Sequence, residues 1–125
     1  MSLFHVWFST KPRRDALQDE RRELVLSCFK RIATEYAIEL VEVEAQFDHV
    51  HMLLRAADMP ALSRIMMLLK GISARKVFER EPDLRLSMAA LSFWQKKYGW
   101  RLLAEEELPV VRRYIQTQLD RPLRH

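Results

Sequence analysis

Glycine is scarce in this chain of 125 residues, which contains only Gly71 and Gly99. A loop that cradles phosphates on its backbone needs several glycines within one turn, so a nucleotide-binding loop of that kind is excluded. Cysteine is scarcer still. Cys28 alone builds neither an intrachain disulfide framework nor a cysteine zinc cluster, and its place on a helical apolar stripe predicts a buried core thiol. No run approaches the roughly 18–20 apolar residues of a membrane-spanning helix. Residues 1–10 are too short and too polar for a secretory leader. The expectation is a soluble, cytoplasmic protein with no membrane contact. No long linker, low-complexity segment or repeat interrupts the sequence, so residues 1–125 read as one domain.

Charge is plentiful. Lysine plus arginine number 21 against 17 aspartates and glutamates, a net charge of +4. The basic residues gather at Lys11, Arg13 and Arg14, at Lys70, Arg75 and Lys76, at Lys96 and Lys97, and at Arg112 and Arg113. Such clusters suit a polyanion. They are equally consistent with solvated faces.

Periodicity supplies the elements. Leu3 to Ser9, rich in aromatic and β-branched residues, reads as a strand. A helix is expected from Ala16 to Tyr36, with Leu17, Leu24, Cys28, Ile32 and Tyr36 on one face. Asp15 is its expected cap, paired with Gln18. Strands follow at Ile38 to Ala45 and His49 to Arg55, joined by a short hairpin. Asp58 and Pro60 open a second helix that runs to about Arg80. Gly71 inside that helix costs about 1 kcal/mol relative to alanine, which predicts a close approach there. Two short strands, Phe93 to Lys97 and Trp100 to Leu103, precede a last helix from Leu108 to Leu119. The order β-α-β-β-α-β-β-α predicts an α+β fold of ferredoxin-like or RRM-like type, an antiparallel sheet of about five strands with helices on one face.

Two segments carry chemistry. On a strand, side chains alternate between faces, so Val50, Met52 and Leu54 turn inward and His49 and His51 sit side by side on the other face. Two imidazoles there can bind a divalent ion once a third ligand joins them. Spacing alone fits two ordinary histidines equally well. In the last helix, Tyr114 and Gln118 are four apart and share a face. A phenol and an amide carbonyl then reach the same metal-bound phosphate, although a lone helix tyrosine more often anchors its ring in the core.

Taken together, these segments resemble the HUH-type single-tyrosine transposases of small bacterial insertion sequences and the related repeat-associated tyrosine transposases. The resemblance spans nearly the whole chain. It rests on Phe4-His5-Val6-Trp7-Phe8-Ser9-Thr10-Lys11 with Arg13-Arg14, and on Asp48-His49-Val50-His51-Met52-Leu53. It rests also on Leu69-Lys70-Gly71-Ile72-Ser73-Ala74-Arg75-Lys76, and on Val111-Arg112-Arg113-Tyr114-Ile115 with Gln118. It implies that His49, His51 and Gln118 hold a divalent metal, magnesium or manganese, and that Tyr114 is the nucleophile. It implies cleavage and rejoining of hairpin-bearing single-stranded DNA through a 5′-phosphotyrosine, without a nucleotide cofactor, by a homodimer whose sites are completed in trans. Lys11, Arg13, Arg14, Lys70, Arg75, Lys76, Arg112 and Arg113 are the candidate DNA contacts.

The remaining singular residues read as structural. His5 shares its strand face with Leu3 and Trp7 and has no assigned task. Trp94 and Trp100 are expected in the core rather than stacked on bases. Tyr36 and Tyr98 are rival nucleophiles that lack a glutamine four residues later in a helix. Two other functions fit the same residues: a non-catalytic single-strand nucleic-acid binding module, and a metal-dependent phosphoesterase using His49 and His51. The phosphoesterase lacks a carboxylate beside the pair, since Asp48 would point to the opposite face of an ideal strand.

Overall fold

The computed structural model describes residues 1–11, 16–88 and 93–117. Its elements are β1 (Ser2–Ser9), α1 (Asp19–Glu35), β2 (Glu39–Gln46), β3 (His49–Ala56), α2 (Met59–Arg80), α3 (Pro82–Met88), β4 (Gly99–Leu103) and α4 (Leu108–Gln116), with a single 3-10 turn at Glu105–Glu107 leading into α4. The four strands form one antiparallel sheet in the order β2-β3-β1-β4.

The two faces of the sheet do different work. Phe4, Val6 and Phe8 of β1 and Val50, Met52 and Leu54 of β3 turn to one side. There they join Val25, Phe29 and Ile32 of α1 and Leu62, Met66, Leu69 and Val77 of α2 in the main core. The alternation read in β3 is therefore realised. On the other side Leu3, Leu53 and Leu103 meet Ile115 of α4 in a smaller core. The helices thus lie on both faces, not on one as expected. The correction follows from α4, whose buried Ile115 seats it over the face that α1 and α2 leave open.

The sheet has four strands rather than about five. Phe93 to Lys97 does not form a separate strand. Thr10 bridges to Trp94, the Gln95 N–H donates to Ser9, and the Lys11 N–H donates to Phe93. This segment continues along the same edge of β1 that β4 occupies further down, instead of pairing with it as a hairpin. Phe93 and Trp94 are both fully buried, so the segment lacks the in–out alternation of a half-buried strand. Trp94 is a core residue as expected, with its Nε1–H donating to Ser73 Oγ at 2.8 Å. Trp100 is not: it lies 45% exposed on the edge strand β4, covered on one side by the Phe4 ring.

Helix α1 begins at Asp19, later than expected, with Gln18 at its cap position and no side-chain cap. Ala16 and Leu17 are buried but extended, because the Leu17 N–H donates to Phe47 O in the β2–β3 turn. The expected cap, Asp15, lies outside the described residues. Asp58 caps α2 as read, its carboxylate accepting from the Ala61 N–H at 2.9 Å, and α2 ends at Arg80. Pro82 then starts α3, a short helix that the periodicity does not predict. Cys28 is buried. A Cβ at Gly71 would meet nothing within 4 Å, so no part of the described chain makes the close approach expected there. Among the described residues no helix is long and apolar enough to cross a membrane.

Candidate functional site

The site is built where β3 leaves its hairpin. Gln46 pairs with His49, which leaves Phe47 and Asp48 as a two-residue turn. Phe47 sits in the left-handed region, φ 57°, a conformation that costs a non-glycine residue roughly 1 kcal/mol. Two backbone bonds hold it: the Leu17 N–H donates to Phe47 O at 2.6 Å, and the Thr10 N–H donates to Asp48 O at 2.7 Å. Asp48 is therefore a turn residue, not a strand residue facing away. Its Oδ1 lies 3.1 Å from His49 Nδ1, which corrects the expectation that it would point to the opposite face.

His51 is two residues further along β3. Its ring centroid is 5.4 Å from that of His49, and its Nδ1 is 3.0 Å from His5 Nε2 on the neighbouring strand. Each imidazole of the pair thus has Nδ1 engaged by an orienting partner, with Nε2 as the nitrogen left to a further ligand. That division of labour is the usual support for a metal-binding histidine. Burial pushes the His51 pKa down to about 4, helped by the neighbouring His5 and His49 rings. At neutral pH the ring is uncharged and can donate a lone pair. Burial, and then the charge of Arg101, lower the His5 pKa as well.

Tyr114 approaches from α4. Its ring stands edge-on to His51, with centroids 6.3 Å apart at 85°, and it is 44% exposed. Helix α4 is held by Ile115 from beneath and by Glu42 from the side. That carboxylate accepts from Gln116 Nε2 at 2.8 Å and from Arg112 Nε at 3.3 Å. Between the sheet and α4 lies an open groove of about 460 Å³, lined by His5, Trp7, His51, Arg101, Val110, Val111 and Tyr114.

Of the four expected site residues, His51 thus neighbours both His49 and Tyr114 within one chain, and His49 is not among the residues that line the groove. The fourth, Gln118, lies outside the described residues. Among the described residues no three His, Cys, Asp or Glu side chains form a ready metal-holding group. A cation held by His49 and His51 would need at least one further donor.

The candidate DNA contacts divide. Arg112 and Arg113 are exposed on α4, on the histidine side. Arg75 and Lys76 are exposed on α2, across the sheet from the histidines. Lys70 is half-buried; its Nζ donates to Gln95 O and Lys96 O at 2.7 and 3.1 Å and lies over the Phe8 and Tyr98 rings. It fastens the segment before β4. Lys11 is exposed at the end of β1, and Arg13 and Arg14 lie outside the described residues. Of the rival tyrosines, Tyr36 is exposed at the end of α1 and Tyr98 packs against the core.

Sequence reasoning missed His5, Trp7 and Arg101. The parity of β1 already put His5 and Trp7 on one face. What the sequence did not show was that β1 pairs with β3 in the register Trp7 opposite His51, and with β4 in the register His5 opposite Arg101.

Known proteins share both the sequence and the fold. A family model described as "Transposase IS200 like" matches residues 2–118. The ISDra2 transposase TnpA of Deinococcus radiodurans is 28% identical over 118 residues, covering 94% of this chain and 84% of that one. The transposase for insertion sequence element IS200 of Salmonella typhimurium is 29% identical over 117 residues, covering 94% and 76%. Among solved structures, a candidate transposase from Deinococcus radiodurans R1 superposes with a TM-score of 0.73 at 29% identity, covering 94% of this chain and 92% of that one. A repeat-associated tyrosine transposase bound to a REP hairpin shares the fold, with a TM-score of 0.59 at 10% identity, covering 93% and 65%. The chain belongs to the family of IS200-like transposases, enzymes of DNA transposition.

Proposed function

We propose that this transposase cuts and rejoins single-stranded DNA at hairpin-marked element ends, with Tyr114 as nucleophile and a divalent cation held by His49, His51 and Gln118. The observation that supports it most is the meeting of Tyr114 with His51 at one groove. When bound, magnesium or manganese supplies positive charge that polarises the phosphodiester and offsets its developing negative charge.

The chain's own residues do the rest. Asp48 and His5 orient the two imidazoles, and the low pKa of His51 keeps it an uncharged ligand. Tyr114 Oη gives up its proton and bonds to phosphorus while the bond from phosphorus to the 3′ oxygen breaks. That oxygen takes up a proton and leaves as a 3′-hydroxyl, and the 5′-phosphate stays on the tyrosine. The new ester keeps the energy of the old one. A 3′-hydroxyl on a second strand can attack the same phosphorus and release Tyr114, with no nucleotide cofactor. In this reading Arg112 and Arg113, which precede Tyr114 on α4, hold the strand's phosphates, Arg112 exchanging its contact with Glu42 for one. A protein of this fold is seen bound to a REP hairpin, which makes a hairpin-bearing strand the substrate class to try. A cytoplasmic homodimer is part of the same reading. Tyr114 and His51 meet here within one chain, whereas completion in trans was expected. Activity restored by mixing Tyr114→Phe chains with His51→Ala chains would show the tyrosine acting across subunits, and no restoration would show it acting within its own.

The test is a denaturing gel of the protein after incubation with hairpin-bearing single strands and manganese. The expected result is a covalent protein–DNA adduct that Tyr114→Phe abolishes while strand binding persists. An undiminished adduct in that variant would sink the assignment. Binding without cleavage across a broad panel of strands would leave a non-catalytic binding module.

A further inference from the structure

Trp7 is an indole in an unusual place. It stands on the same face of β1 as His5, and it is 37% exposed. It is also rigidly seated. A Cβ at Gly99 would lie 2.2 Å from both Cε2 and Nε1 of the indole, so the ring lies directly on the Gly99 backbone. The His5 ring flanks it, with centroids 5.0 Å apart. The second of the chain's two glycines is thereby explained: it is the bed of this tryptophan.

The indole forms one wall of the groove whose opposite wall is Val110, Val111 and Tyr114. The groove's volume falls within the about 300–1,000 Å³ typical of small-ligand sites. Arg101 is its charged member, opposite His5 in the register of β1 and β4. The guanidinium is steadied by Glu107, Nη1 to Oε1 3.1 Å, and Glu107 in turn accepts the Ala104 N–H at 2.8 Å. An exposed, pre-seated aromatic ring beside a fixed cation is what single-stranded nucleic acid uses: the ring takes a base, the cation a phosphate or a base edge.

We propose that this groove takes one unpaired nucleobase of the DNA strand, stacked on Trp7, with Arg101 at its polar edge. Resting on the reading of the site as a single-strand cutting centre, the proposal makes Trp7 the positioning residue that seats the nucleotide beside the phosphate facing Tyr114. Continuity of the groove with Tyr114 and His51 favours the DNA strand itself.

The test separates this proposal from the chemistry. Binding is measured by fluorescence anisotropy in EDTA, so that no cleavage occurs, with a short oligodeoxyadenylate and the same strand carrying abasic sites at its centre. The wild type should prefer the strand with bases by about tenfold, within the range for losing base–aromatic stacking. Trp7→Leu should lose that preference, and Trp7→Phe should keep most of it. Independently of folding in the variants, irradiating the wild type with a strand carrying 5-iododeoxyuridine should crosslink the base to Trp7. A preference unchanged in a folded Trp7→Leu, or crosslinks that avoid Trp7, would overturn the proposal. If the Trp7-dependent preference holds but Tyr114 forms no adduct, the groove binds bases and the covalent chemistry fails. If the adduct forms and Trp7 is indifferent, the groove proposal alone fails.

Discussion

His5 and His51 share a hydrogen bond, 3.0 Å between Nε2 and Nδ1, across two antiparallel strands. They are diagonal neighbours, because Trp7 is the residue opposite His51 and Leu53 the residue opposite His5. If His51 is to offer the Nε2 lone pair to a metal, its Nδ1 must carry the proton and donate it to His5. The partner thus fixes the ring orientation, and with its own Nε2 unprotonated it supports that tautomer.

Removing that partner should therefore weaken metal binding without unfolding the chain. His5→Ala is expected to lower manganese affinity by about 10–100-fold, the usual cost of losing an orienting partner. His5→Gln, whose side-chain carbonyl can still accept from Nδ1, should recover part of the loss. Titration calorimetry with manganese checks both. An unchanged affinity in a folded His5→Ala protein would contradict the orienting role.

A second prediction concerns acid. Arg21 grips Glu81 with two nitrogens, at 2.6 and 2.7 Å, tying the start of α1 to the junction of α2 and α3. This hydrogen bonding lowers the Glu81 pKa below its ordinary value of 4.5. A carboxylate depressed in the folded state stabilises fully above its unfolded pKa, and that contribution is lost as pH falls through the folded value. The melting temperature of the wild type should drop more steeply below pH 4.5 than that of Glu81→Gln. At neutral pH the variant should be less stable by about 1 kcal/mol, since the pair is partly exposed. Parallel acid limbs would rule the pair out as a contributor.

A third concerns Gly71, which sits mid-helix with open space where a Cβ would go. Nothing in the described chain needs a glycine there. Gly71→Ala should stabilise the protein by about 1 kcal/mol, read as a higher midpoint in urea. A destabilised Gly71→Ala protein would show that the helix is strained at this point.

These residues also show how far the sequence could be read. The histidine pair was legible because β3 alternates cleanly, with Val50, Met52 and Leu54 in the core and His49 and His51 opposite. The tyrosine helix was legible from its period and from the family resemblance. The site's supports were not, because each depends on a partner distant in sequence. His5 became meaningful only through the register of β1 with β3, Trp7 and Arg101 only through β4, and Asp48 only through a turn pinned by residues 10 and 17. Phe93 to Lys97 misled for a related reason. Strand-like composition reports burial, and Phe93 and Trp94 are buried by packing into the main core rather than by strand pairing alone.

The smaller core makes the last prediction. Ile115 is the buried residue of α4, and it is enclosed by Leu3, Leu53 and Leu103, with Val41, Leu108 and Val111 at the edges. Truncating a buried isoleucine costs about 2–5 kcal/mol where the surroundings cannot collapse. Here the main core lies on the other side of the sheet and is untouched by the change. The loss should fall on the docking of α4 rather than on the whole fold, as a local opening. Ile115→Ala should therefore speed hydrogen exchange and proteolysis in α4 while β1 and β3 keep their protection. Adduct formation should fall with the docking of α4, because the tyrosine rides on the loosened helix while His49 and His51 keep their places on the sheet. Global unfolding with uniform loss of protection would show instead that the two cores form one cooperative unit.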